Sequence, residues 1–162
     1  MLVRLLPDQI SKFWDIIKYA VEQSLPPIVG EHPDKMQNIL MAALDGSIDV
    51  WASYSKGEEG NKFEGVVLTE LLFDRPSRTK NLLLYCLYGY EGVDSKSWMT
   101  GIHTLAKYAL SRGCNQVVAY TDIPYMINLT KKLGGEAKYT YCAFNVKEMI
   151  KKFNGLGGSN AS

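Results

Sequence analysis

A mixed α/β (α+β) fold built on one central sheet is what this sequence predicts, and three observations carry the prediction. Apolar residues recur at helical spacing ahead of residue 46. Two alternating segments, 48–54 and 63–73, flank a polar stretch with two glycines and read as an antiparallel pair. A near-continuous apolar run at 81–88 precedes a helical stripe and another strand pattern at 116–121, the order of a parallel strand–helix–strand crossover.

The elements follow in order. Residues 2–6 make a short apolar start, and Pro7 and Asp8 open a helix whose Ile10, Phe13, Trp14, Ile17 and Val21 share one face. Leu25, Pro26 and Pro27 end it. His32, Pro33 and Asp34 start a second helix with Met36, Ile39, Leu40 and Ala43 inward and Gly46 just past its end. The hairpin strands come next, joined across 55–62. The loop 74–80 then leads into 81–88, expected to be central because an apolar run suits a strand buried on both faces. Beyond the loop 89–97, Trp98, Ile102, Leu105, Ala106 and Ala109 form the stripe of a third helix that stops at Gly113. A fourth helix at about 124–133 ends on Leu133, Gly134 and Gly135. The alternating AKYTYCAFNV at 137–146 reads as a last strand, and KEMIKKF at 147–153 is helical in pattern. A single domain over 1–153 is expected, with 154–162 a flexible or partner-ordered tail.

Bulk properties exclude several classes. The 162 residues carry 22% charged and 46% hydrophobic side chains, an ordinary globular balance. A net charge of +1 supplies no global field for nucleic acid or an anionic membrane. No apolar run is long enough to span a bilayer, so a soluble, intracellular protein is expected. Cys86, Cys114 and Cys142 sit in or beside apolar strand segments without a CxxC or His–Cys cluster, which points to buried reduced thiols and no metal site.

The element order, together with ALSRGC at 109–114 running into NQVVAYT at 115–121 and KKLGGE at 131–136, resembles the GNAT (N-acetyltransferase) superfamily. It looks particularly like short GNAT-like proteins encoded by tailed bacteriophages. The resemblance implies that strands 81–88 and 116–121 splay apart, so that acetyl-CoA slots its pantetheine between them and lays its pyrophosphate on the next helix N-terminus. The family writes that turn as Gln/Arg-x-x-Gly-x-Gly/Ala. Here the matching residues 93–98 read VDSKSW, with no glycine, a carboxylate and an indole.

Leu87, Tyr88, Ser95, Lys96, Ser97, Trp98 and Asn128 are the cofactor-binding candidates that follow. The hydroxyls, the lysine and the helix-terminal amides of 95–97 suit a phosphate, although capping and solvation are the plainer reading. Thr130 stands where many members place a tyrosine that protonates the leaving thiolate, a role commonly contributing roughly 10²–10⁴ in rate. Tyr125 and Tyr88 are the nearest substitutes. Glu70, inside the apolar VVLTELLF strand, is the candidate base, with an exposed strand face as the plainer reading. His103 reads as exposed and His32 as a residue of a helix start. Tyr85, Tyr88, Tyr90, Tyr120, Tyr139 and Tyr141 suit either core packing or a binding surface.

Two functions follow. In one, the domain has lost catalysis and serves as a phage virion or assembly protein, binding protein partners or itself and using no cofactor. In the other it is an acetyl-CoA-dependent N-acetyltransferase acting on an amine.

Overall fold

A three-residue strand, β1 (Leu2–Arg4), pairs antiparallel with β2 (Ile48–Gly57), which pairs antiparallel with β3 (Gly60–Asp74), and β3 with β4 (Thr79–Gly89). The fifth strand, β5 (Gln116–Ala119), joins β4 in parallel, so the sheet order is β1-β2-β3-β4-β5. This computed structural model describes residues 1–90 and 93–157. The chain falls into two compact units, Met1–Asp122 and Ile123–Ser162. The whole sheet belongs to the first.

Strand alternation sends side chains of β2 and β3 to opposite faces. Val50, Ala52, Val66, Leu68 and Cys86 pack against α1 (Pro7–Lys12), α2 (Trp14–Ser24) and α3 (Lys35–Asp45) through Ile10, Ile17, Ala20, Val21, Ile39 and Ala43. Trp51, Val67 and Leu82 form the second core with Leu2 and with Leu105 and Ala109 of α4 (Ser95–Ser111). Leu68 and Leu82 are fully buried, and truncation of either to Ala costs about 2–5 kcal/mol.

The elements through β5 agree with the sequence reading in kind and order, with three differences. The first helix divides at Phe13, whose φ of −106° and ψ of 16° leave the helical region, so that α1 and α2 are separate helices. The hairpin is longer than expected, since β2 and β3 stay paired to Gly57 and Gly60. Strand β5 ends at Ala119 rather than at 121. Cys142 is exposed, not buried; Cys86 is buried, which pushes its thiol up to about 11.

In the second unit, α5 (Pro124–Lys132) and α6 (Val146–Gly157) bring the helices to six among the described residues, where about four were expected. Residues 136–145 carry no regular secondary structure, so the expected last strand is absent from the described sheet. Alternation specifies which side chains would share a face, whereas a strand also needs a neighbour for its backbone groups. Of the expected tail, 154–157 belong to α6 and 158–162 lie outside the described residues. Among the described residues no helix is long and apolar enough to cross a membrane, and no group of His, Cys, Asp and Glu is arranged to hold a metal.

Candidate functional site: a gap between β4 and β5

Pairing between β4 and β5 runs from Asn81 opposite Gln116 to Leu84 opposite Ala119 and stops there, while β4 continues to Gly89. The departure point coincides with a bulge. Leu68 faces Cys86 and Thr69 faces Leu84, leaving Tyr85 as the extra residue of β4. A bulge bends its strand and raises the local twist, which separates β4 from its parallel neighbour.

The bulge also resets which peptide groups face which way. Ahead of it, Asn115 N–H donates to Lys80 O at 2.7 Å, so Lys80, Leu82 and Leu84 present their backbone to β5. Beyond it, Tyr90 N–H donates to Glu64 O at 2.8 Å, so Tyr90, Tyr88 and Cys86 turn toward β3. Leu87 and Gly89 therefore turn their peptide groups to the side on which the β5 ladder has ended.

The helix after β4 starts beside this gap and is closed by its own residues. Asp94 is the N-cap of α4, and Ser97 N–H donates to its Oδ1 at 2.6 Å. The Ser97 amide first, then the Ser97 side chain, and more weakly the Lys96 amide and charge, hold the Asp94 carboxyl below its ordinary range. Val93 and Trp98 flank the cap at the N′ and N4 positions, the two positions of the hydrophobic staple that fixes how a chain enters a helix. Both lie over Gly89, where an added Cβ would meet Trp98 Cζ2 at 2.8 Å. What remains beneath them is a cavity of about 30 Å³, room for roughly one water.

Glu64 lines that cavity, 8% exposed, with its Oε2 accepting from Ser53 Oγ at 3.2 Å. The sequence reading missed it. Ser53 faces Gly65 and Tyr54 faces Phe63, so Glu64 is the bulged residue of β3. The glycine following it inside an apolar strand was the available signal, since strand glycines often mark bulges.

On the α2 side of β4, rings meet one after another. Tyr88 lies edge-on to Tyr19 at 6.0 Å and to Tyr90 at 4.8 Å, Tyr90 is 5.2 Å from Phe63, and Phe63 is 5.5 Å from Tyr54. Burial, then Tyr19, pushes the Tyr90 phenol up, and burial pushes up Tyr85 with smaller contributions from Cys86 and Glu70.

The expected site residues divide between the units. Leu87, Tyr88, Ser95, Lys96, Ser97 and Trp98 gather around the end of β4 and the start of α4, with Ser95 and Lys96 exposed and Leu87, Tyr88, Ser97 and Trp98 half-buried. The N-cap is Asp94 rather than a serine. Glu70 is half-buried opposite Leu83, in the paired part of β4, roughly 13 Å along the strand from Leu87 at ~3.3 Å per residue. Tyr125 and Asn128 are exposed residues of α5 in the second unit, where Thr130 Oγ1 donates to Met126 O at 2.9 Å. Tyr120, Tyr139 and Tyr141 are exposed, Tyr139 by 86%, whereas Tyr85, Tyr88 and Tyr90 are half-buried. His103 is exposed, and His32 Nδ1 accepts from Asp34 N–H at 3.1 Å just ahead of α3.

A larger cleft, about 570 Å³, opens at the other end of the strands, where Arg4, Asp49, Thr69, Tyr108 and Arg112 are among its lining. Its central polar atoms satisfy one another: Tyr108 Oη donates to Asp49 at 2.5 Å and Arg4 lies 3.7 Å from the same carboxylate. Size alone does not make it the reactive site, and the β4–β5 gap lies elsewhere.

No family model matches the sequence, and no curated protein matches it. Solved structures do match in fold. The ribosomal-protein-alanine N-acetyltransferase from Brucella melitensis biovar Abortus 2308 superposes with a TM-score of 0.64 at 14% identity, over 90% of this chain and 99% of that one. An AAC(6')-Iy bound to a CoA-S-monomethyl-acetylneamine bisubstrate analogue gives 0.65 at 10% identity, covering 90% and 96%. A "predicted acetyltransferase with acetyl-CoA" from Clostridium acetobutylicum gives 0.65 at 14%, covering 91% and 97%. With its mixed sheet, its parallel pair parting after Leu84 and these neighbours, the chain has the GNAT fold of the N-acetyltransferases.

Proposed function

We propose that the chain is an N-acyltransferase that admits an acetyl thioester between β4 and β5 and passes the acetyl group to an amine. The observation that carries this reading is the end of the β4–β5 ladder at Leu84 and Ala119, with 85–89 of β4 still to run. Two fold neighbours are described with acetyl-CoA or a CoA bisubstrate analogue.

The chemistry needs little covalent help from the protein. The amine nitrogen attacks the thioester carbonyl, the C–N bond forms, and the C–S bond breaks as the thiolate leaves. Backbone N–H groups at Leu87 and Gly89 are the donors suited to the oxygen that becomes negative on the way. The amine must lose a proton to a base, for which Glu70 and the buried Glu64 are the candidates. The thiolate must gain one, with Tyr88 as the acid within the unit that carries the sheet.

A second reading keeps the fold without the catalysis, as a domain that binds protein partners or itself in a phage particle or its assembly. Asp94 on the α4 N-terminus, Trp98 over Gly89 and Thr130 at the acid position favour it.

Thermal unfolding with millimolar S-acetylpantetheine and with acetyl-CoA decides between the two. A ligand that binds only the folded chain raises its melting temperature by mass action. A rise with either thioester is expected. No rise with both, together with a partner that copurifies, would leave the second reading.

A further inference from the structure

The thioester arm and the nucleotide end of coenzyme A meet different surroundings in this chain. The gap beside Leu87 and Gly89 offers strand peptide groups to a pantetheine. The α4 N-terminus, where the resemblance to the N-acetyltransferases puts the diphosphate of acetyl-CoA, offers a carboxylate instead. Asp94 already takes the Ser97 amide at 2.6 Å and is further held by the Lys96 amide and the Ser97 hydroxyl. A helix start attracts anions because its first N–H groups lack partners and its dipole is positive there. Here the Ser97 amide is turned onto the chain's own anion. A diphosphate would have to displace Asp94 and then remain near its charge, with like charges repelling at close range. Residues 93–98 also lack glycine, so their Cβ atoms hold a ligand away from the backbone, and Trp98 and Val93 fill the space above Gly89.

Resting on the acyltransferase reading, we infer that the acyl donor is a pantetheine thioester whose far end bears no nucleotide diphosphate. Acetyl-4′-phosphopantetheine, free or carried on an acyl carrier protein, has this chemistry. Its single phosphate is the one that coenzyme A carries next to the pantetheine, so it brings one phosphate rather than two, and no nucleotide, to the helix start that Asp94 caps.

Isothermal titration of the full chain with S-acetylpantetheine, S-acetyl-4′-phosphopantetheine and acetyl-CoA tests the inference. Acetyl-CoA is expected to bind no more than about threefold tighter than S-acetylpantetheine, because the nucleotide adds nothing that Asp94 does not oppose. In the Asp94→Asn variant, acetyl-CoA is expected to gain about tenfold while S-acetylpantetheine is unchanged, removal of one close like charge being an effect of that order. An acetylated acyl carrier protein as a fourth ligand separates the sources. Tighter binding than the free arm assigns a protein-borne donor, and weaker binding a free one, each within the proposed class. Acetyl-CoA binding more than tenfold tighter than S-acetylpantetheine to the unaltered chain would overturn the inference and leave the acyltransferase reading standing. Failure of every thioester to bind would overturn that reading, and this inference with it.

Discussion

The two ends of α4 are fastened by different means. At its C-terminal end, Tyr108 donates to Asp49 at 2.5 Å, Arg4 lies 5.6 Å over the Tyr108 ring, and Trp51 packs edge-on against that ring at 4.9 Å. The Trp51 indole N–H in turn donates to Thr69 at 3.0 Å, so β1, β2, β3 and α4 share one polar network. At its N-terminal end the fastenings are local: the Asp94 cap, with Val93 and Trp98 over Gly89. The first arrangement ties four elements together and resists change. The second can alter what it binds while leaving the sheet intact, which is where a fold shared with acetyltransferases has room to change its donor.

The largest expected effects fall at the networked end. Trp51→Ala removes a nearly buried indole and its hydrogen bond, and is expected to cost about 3–5 kcal/mol in urea unfolding. Trp98→Ala, at a half-buried ring, is expected to cost about half as much. Equal losses would break the comparison. Tyr108→Phe leaves the Asp49 carboxylate without its hydroxyl donor, for a loss of about 1–3 kcal/mol. Tyr108 is itself pushed up, by burial first and by Asp49 next, as a phenol donating to a carboxylate should be.

Gly89→Ala sharpens the account of the other end. Its Cβ would press on the far edge of the Trp98 ring, and the expected cost is about 1 kcal/mol, at the lower edge of overpacking because a ring end can shift. A Gly89→Ala, Trp98→Ala double variant no less stable than Trp98→Ala alone would identify that contact as the cause.

Asp94→Asn gives the smallest effect, visible in its pH dependence. The Asp94 carboxyl is held below its ordinary 3.8 in the fold. The folded state therefore binds its proton less readily than the unfolded chain, and the cap's ionic contribution is fully present above that ordinary value. It fades as pH falls through the lower folded value. The melting temperature of the unaltered chain is expected to exceed that of the variant at pH 7, with the gap closing below pH ~4. A gap independent of pH would mean that the charge does not contribute.

The sequence carried the main elements because their signals are long. The apolar run at 81–88 is β4, and Gly46 and Gly113, with φ of +83° and +71°, end α3 and α4 where a left-handed residue is needed. Single-residue events were not legible. The bulges at Tyr85 and Glu64 each insert one residue without disturbing the apolar count, yet one opens the gap and the other turns a carboxylate into a cavity. The Phe13 break leaves Ile10 and Ile17 buried on the same core, so periodicity alone could not reveal it. AKYTYCAFNV misled for a different reason: alternation describes a strand's faces and is silent about its neighbour. The mismatch of 93–98 with the family turn was visible at once, but that Asp94 rather than a serine caps α4 needed coordinates.

Amide chemical shifts followed during titration with S-acetylpantetheine test the central claim most directly. The account predicts that the Leu87 and Gly89 amides move first and furthest, with the Asp49 and Tyr108 amides at the opposite end of the sheet unmoved. Movement confined to the Arg4–Asp49–Tyr108 cleft, or Leu87 and Gly89 amides unchanged at saturation, would contradict it.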